Sequence, residues 1–288
     1  MLQDKRNSMI RYTKATDQSV EIEQVTNQPL LYLDQWMWSL LSRDSDLRYR
    51  FIDLAVNVKA TIMYSGITLI ELSQINVSDQ MEAIAEVMDG VDYGFSDANP
   101  SSVIEKEEKF GDPERSEFHG ANPAAGSQLI ENFFFNVSNP LDPFRISDII
   151  RITDNQVRDQ FKRVGEVFNG LNPVILKART DANALDRAKK RHGLKEVKGN
   201  SYPFTRDIYR FAIDFVVANE NMNMPSKEWR DLLNTVVPVA YFDLVLLDNR
   251  WCHFIRTNCP LYYPDIAKVF SKNELNDFFS ELEDFQNL

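Results

Sequence analysis

Four acidic side chains occur in contexts that can bring carboxylates together: Asp34 in LYLDQWMW, Glu71 in SGITLIEL, Asp231 in EWRDLLN and Asp248 in LVLLDNRW. Oxygen-only ligand sets suit hard divalent cations such as Mg²⁺ and Mn²⁺. Asp34 and Asp248 each close a short apolar run. Glu71 lies a little over one helical turn beyond a third such run, and Asp231 precedes the last run by a helix. Each acid alone has a plainer use, Asp34 and Asp248 as helix N-caps, Glu71 and Asp231 as solvated helix residues. The third acid stays open, because Asp243 just before the last run and Asp214 on the preceding helix compete with Asp231.

The elements that must position these acids follow from the apolar pattern. Pro29 to Asp34 (PLLYLD) has strand length, and the bulky QWMWSLLS after it suits a buried helix. A polar helix is expected around Arg48 to Lys59, then a strand at Thr61 to Gly66 and a helix starting near Ser65. Strand, helix, strand in this order implies parallel pairing. Ile208, Phe211, Ala212, Phe215 and Val216 predict a helix from Thr205, and Ser226 is the expected N-cap of the next, with Asp231 in its second turn. Phe242 to Asp248 is the last clear strand, and NELNDFFSELEDF is a closing amphipathic helix. In open parallel sheets the crevice lies at the carboxyl ends of the strands, where Asp34 and Asp248 would converge.

The middle of the chain is different. Five of the ten glycines and five of the twelve prolines fall between Asp89 and Pro143, which marks irregular chain, although ENFFFNV (Glu131 to Val137) is apolar enough to pack. Val157, Phe161, Val164 and Phe168 then predict an amphipathic helix ending at Gly170. The expected organisation is a flexible leader over 1–28, an α/β domain from 29–88 and 204–288, and an insertion over 89–203, irregular to 143 and helical from 144.

Net charge is −11, against a broad basic face for nucleic acid. The charge is uneven, however. Lys177 to Asn200 carries eight Lys or Arg against three Asp or Glu, a local net of +5. The 43% hydrophobic and 26% charged composition excludes disordered, collagen-like and coiled-coil classes, and no apolar run approaches the roughly 20 residues of a membrane helix. The leader lacks the pattern of a secretory signal, so a cytoplasmic location is expected. Cys252 and Cys259 form no disulfide framework and read as buried thiols. His119, His192 and His253 are scattered, with no hydrolase triad.

In order and element type, the four acidic motifs resemble the PIN-domain nuclease family. Its pattern has an Asp ending the first strand, a Glu on the helix after the second, an Asp early in a helix and an acid after the next strand. The likeness covers Pro29 to Val77 and Pro225 to about Arg256, with a separation of 17 from Asp231 to Asp248 and about 160 residues between Glu71 and Asp231. It implies a three-layer α/β/α fold with a central parallel sheet plus a largely helical insertion, and Asp34, Glu71, Asp231 and Asp248 as ligands of Mg²⁺ or Mn²⁺. It implies hydrolysis of phosphodiesters in RNA, single-stranded DNA being the lesser candidate, by a toxin-type or defence ribonuclease. Gln35, Arg187, Lys189, Lys190 and Arg191 are the candidate substrate contacts. Trp36, Trp38 and Trp251 offer either stacking surfaces for a base or core. A protein inhibitor or a second copy of the chain are further partners the resemblance allows. Leu246 departs from the family, which commonly has Thr or Ser there. A PIN-like binding or adaptor protein with a degenerate metal site is therefore the alternative.

Overall fold

The computed structural model describes residues 9–14, 20–97, 99–110, 145–151, 172–192, 204–258 and 266–287. Two strands, β1 (Met9–Lys14) and β2 (Val20–Val25), form an antiparallel pair within the segment expected to be a leader. Next come β3 (Leu30–Tyr32), α1 (Gln35–Leu41), α2 (Ser45–Asn57), β4 (Thr61–Ser65), α3 (Gly66–Ser73) and α4 (Ser78–Gly90). After β5 (Asp92–Ser96) and α5 (Pro100–Phe110), the described chain continues with α6 (Asn172–Thr180), α7 (Ala182–His192), α8 (Phe204–Ala218) and α9 (Ser226–Tyr241). It ends with β6 (Leu244–Leu246), α10 (Asn249–Asn258), β7 (Lys268–Phe270) and α11 (Leu275–Asp284). The class is α/β: β3 to β7 make one all-parallel sheet in the order β5-β4-β3-β6-β7.

The strands are short, but they are buried on both faces, as all-parallel sheets require. Side chains alternate between two apolar cores. Leu30, Tyr32, Met63, Val245 and Val269 join α8, α9 and α10 on one face. Leu31, Leu33, Ile62, Tyr64, Leu244, Leu246 and Phe270 join α1, α2, α4 and α11 on the other. Each fully buried Leu or Ile contributes about 1.5–3 kcal/mol, enough for three-residue strands to hold. The arrangement is compatible with α/β/α layering. No helix of the described residues is long and apolar enough to cross a membrane.

Three features depart from the sequence pattern. The segment expected to be irregular from 89 to 143 contains β5 and α5, and β5 pairs with β4 along its whole length. Gly94, counted as a loop signal, pairs with Met63, and a Cβ there would lie 2.8 Å from Met63 Sδ and 3.0 Å from Thr26 Cγ2. It is a packing glycine inside a strand. The described helices of the expected insertion join the core too, Val103, Ile175 and Ala188 packing with α8 and α9. The expected helix ending at Gly170 and the apolar run 131–137 lie outside the described residues. Pro225, not Ser226, holds the N-cap position of α9.

The outer edge of β5 meets a side chain. The Gln24 amide donates to the Phe95 carbonyl at 3.1 Å and accepts from the Phe95 N–H at 2.7 Å, as a paired strand would. Gln24 and Phe95 are buried. Replacing Gln24 by Leu leaves both Phe95 groups without this partner. A loss of about 1–3 kcal/mol is expected in urea denaturation; an unchanged midpoint would show that water replaces the amide.

Candidate functional site

From β3 the chain steps outward through β4 to β5, then returns to the other side of β3 for β6 and β7. The β3/β6 boundary is therefore where the direction of strand addition reverses, and a crevice opens beyond the carboxyl ends there. Leu31 pairs with Leu244 and Tyr32 with Val245. Asp34 and Asp248, each two residues past the last residue of its strand, thus stand together on that edge.

Both acids also start helices. Asp34 is the N-cap of α1, its Oδ1 accepting from the Gln35 N–H at 2.8 Å. Asp248 Oδ1 accepts from the Trp251 N–H at 2.8 Å at the start of α10. Capping and facing the crevice are compatible, since one oxygen of a carboxylate suffices for the cap and the helix dipole favours its charge. Glu71 lies on α3, whose start is fixed by the Ser65 hydroxyl accepting from the Thr68 N–H at 3.0 Å. Its side chain is 10% exposed, and its Oε1 is 3.3 Å from Arg230 on α9.

Asp231 sits on α9 one turn beyond Glu228, on the same face. Glu228, Asp231 and Asp248 each offer an oxygen within 4.8 Å of the other two, a group able to hold a cation. Arg250 pairs with Glu228 and ties α10 to α9. Asp34, Gln35, Glu71, Lys227, Asp231 and Asp248 line a single cleft of ≈ 350 Å³. Glu228 and Lys227 were missed in the sequence, although Glu-x-x-Asp on one helix is a legible signal.

Electrostatics mark the same place. Burial pushes Asp34, Glu71 and Asp231 each up to about 7, and mutual repulsion adds to it. Asp34 faces the charges of Glu71 and Asp248, Asp231 those of Asp34, Asp248 and Glu228, and Glu71 that of Asp231. Lys227 opposes the rise at all three, and Arg230 opposes it at Glu71. Beneath them the buried Tyr32 hydroxyl is held well above its ordinary range by burial and by Asp34, Glu71 and Asp231, with Thr68 as its hydrogen-bond partner. Thr68 meets Ser65 at 2.9 Å, and the Ser65 hydroxyl donates to Asn234 Oδ1 at 3.1 Å, linking α3 to α9.

Other candidates fall elsewhere. Asp243 lies at the amino edge of the sheet, where its Oδ2 accepts from the Leu30 N–H at 2.7 Å, because it precedes β6 instead of following a strand. Arg187, Lys189 and Lys190 are exposed on α7 and line no part of the cleft; Lys189 pairs with Glu220 and Lys190 with Asp186. The Arg191 side chain lies outside the described residues. Trp38 and Trp251 are 1% exposed and belong to the two cores, Trp38 also backing the cleft, and Trp36 is half-buried on the cleft wall. Cys252 is buried, and Cys259 is outside the described residues.

An acid whose folded-state value is raised stabilises the fold below its unfolded value, and that stability is lost as pH rises towards the folded value. For Asp231 the window runs from the ordinary carboxylate range up to about 7. In chelator-treated protein, Asp231→Asn is therefore expected to raise Tm at pH 8, by about 2–4 °C for each kcal/mol of relieved burial and repulsion of the charge, with a smaller gain at pH 5. A lower Tm at pH 8 would contradict the repulsion. Comparison with protein-family models, curated proteins and solved structures finds no match, so the cleft is characterised by its own geometry.

Proposed function

We propose that this chain is a divalent-metal-dependent nuclease of the PIN-domain type, hydrolysing phosphodiester bonds in RNA, with single-stranded DNA as the lesser substrate. The observation that carries this reading is the convergence of four carboxylates from four separate segments at the strand-order reversal of a parallel sheet, with Glu228 as a fifth. The order of acidic motifs, the parallel sheet and its two helical layers all agree with a PIN-like fold.

The donor set fits a hard divalent ion. It is all carboxylate, with three oxygens within 4.8 Å of one another, at a cleft where burial first and neighbouring carboxylates second push Asp34, Glu71 and Asp231 up to about 7. Asp231, Asp248 and Glu228 would hold one Mg²⁺ or Mn²⁺, with Asp34 and Glu71 completing its surroundings directly or through water. Such an ion supplies an activated water and charge neutralisation at phosphorus oxygens. The chain's own contribution is to orient. The α1 and α10 starts fix Asp34 and Asp248, Arg230 restrains Glu71, and Arg250 restrains Glu228. Lys227, exposed at the mouth of the cleft, offers a cation to the phosphate. Gln35, exposed beside Asp34 on the cleft, would touch substrate, whereas the basic face of α7 would serve only an extended strand.

A second reading, a PIN-like binding protein without catalysis, is favoured by Leu246, which is fully buried in a core and supplies no hydroxyl to the cleft, and by the Arg230–Glu71 pair. Millimolar Mn²⁺ should raise Tm under the nuclease reading and leave it unchanged under this one. Asp34→Asn should abolish Mn²⁺-dependent cleavage of single-stranded RNA while the protein stays folded, because Asn still caps α1. Full activity in that variant would refute the site.

A further inference from the structure

The acids line only part of the cleft. Apart from Lys227 the rest of its lining is uncharged, and its neutral arm takes Trp36, Trp38 and Ser39 from α1, Leu72 and Ile75 from the end of α3 and just beyond it, and Gln80 and Ile84 from α4. Trp36 is two residues from Asp34 on the first turn of α1. Its indole N–H donates to the Leu247 carbonyl at 3.1 Å, so the ring is fixed by the end of β6, one residue before Asp248. An aromatic ring held in place by a backbone bond thus lines the same cleft as the two strand-end acids. Leu72 and Ile84 are core residues, while Trp36, Ile75 and Gln80 are only partly covered.

We propose that this arm seats one unstacked nucleobase, with Trp36 presenting the stacking face and Gln80 and Ser39 meeting the base edge. The inference rests on the nuclease reading of the acidic arm and deepens it. Three physical points favour this occupant. A cleft of ≈ 350 Å³ falls at the small end of ligand pockets, about 300–1,000 Å³, where a single nucleotide fits and a duplex does not. A base inside a duplex reaches such a hollow only by leaving its stack, which favours strands that are already single. The chain carries a net −11 and Lys227 is the one basic residue among those lining the cleft, so phosphate contacts give limited affinity. Stacking on an aromatic face supplies binding that needs neither basic residues nor a fixed sequence.

The test is equilibrium binding by the full chain in Ca²⁺, with three probes: a short single-stranded oligoribonucleotide, its duplex, and a strand of the same length with abasic residues. The single strand should bind more tightly than the other two. Trp36→Ala should weaken it by about tenfold or more while leaving the abasic strand unaffected, and Trp36→Phe should restore most of the affinity. Gln80→Trp fills the arm from its rim without removing a core side chain, and should weaken the single strand alike. Equal binding of the base-bearing and abasic strands, no binding of any probe, or unchanged affinity in both Trp36→Ala and Gln80→Trp overturns the proposal. Cleavage in Mn²⁺ separates the two claims. Activity lost in Asp34→Asn but with unchanged KM in Trp36→Ala and Gln80→Trp removes the base seat and leaves the nuclease. Base-dependent binding without any cleavage removes the nuclease and leaves the seat.

Discussion

Like charges held close together in partial burial are the constraint around which the rest of this molecule is organised. Ionised carboxylates repel one another and lose hydration when covered, and both effects favour taking up protons or a cation. The cleft contains Asp34, Glu71, Asp231 and Asp248 against Lys227 and the Arg230 that already pairs with Glu71. Left to themselves, these groups would separate. They stay together because each is fixed by something stronger than the repulsion: a strand end, a helix start or a helix packed into the core.

The supports differ in kind. Asp34 and Asp248 are positioned by backbone geometry, since their strands are neighbours in register and each carboxylate opens a helix. Glu71 and Asp231 depend on helix placement instead. The contact between α3 and α9 beneath them is polar, with Tyr32, Ser65, Thr68 and Asn234 meeting in the covered interior. A polar interior of this sort gives up some hydrophobic stabilisation and gains a defined registry between two helices, because its hydrogen bonds close in one arrangement only. Asn234 lies one turn from Asp231, and Thr68 one turn from Glu71, so the same contact sets the spacing of the two acids.

The positions that were legible in the sequence were those where local pattern and tertiary role coincide. LLYLD and LVLLD announce buried strands ending in an acid, and ITLIEL announces the helix that carries Glu71. Strand β5 was hidden because Asp92 and Gly94 are loop residues by composition, and only the nearness of Met63 explains why glycine belongs there. Strand β7 is three residues long, too short to show a period. Glu228 was overlooked beside the more conspicuous Asp231, and the basic stretch on α7 drew attention by composition alone. Thr68 and Asn234 were readable in principle, as polar residues on otherwise apolar helix faces.

The contact between Gln24 and β5 has a consequence for how the chain behaves among its own copies. Parallel sheets end in strands whose outward N–H and C=O groups can recruit another chain, and proteins blunt such edges to avoid assembling edge to edge. Here the Gln24 amide, carried by a segment outside the sheet, pairs with Phe95 near the carboxyl end of the β5 edge and interrupts its run of open groups. The amino-terminal segment therefore covers backbone groups of an edge strand that would otherwise be open to pairing.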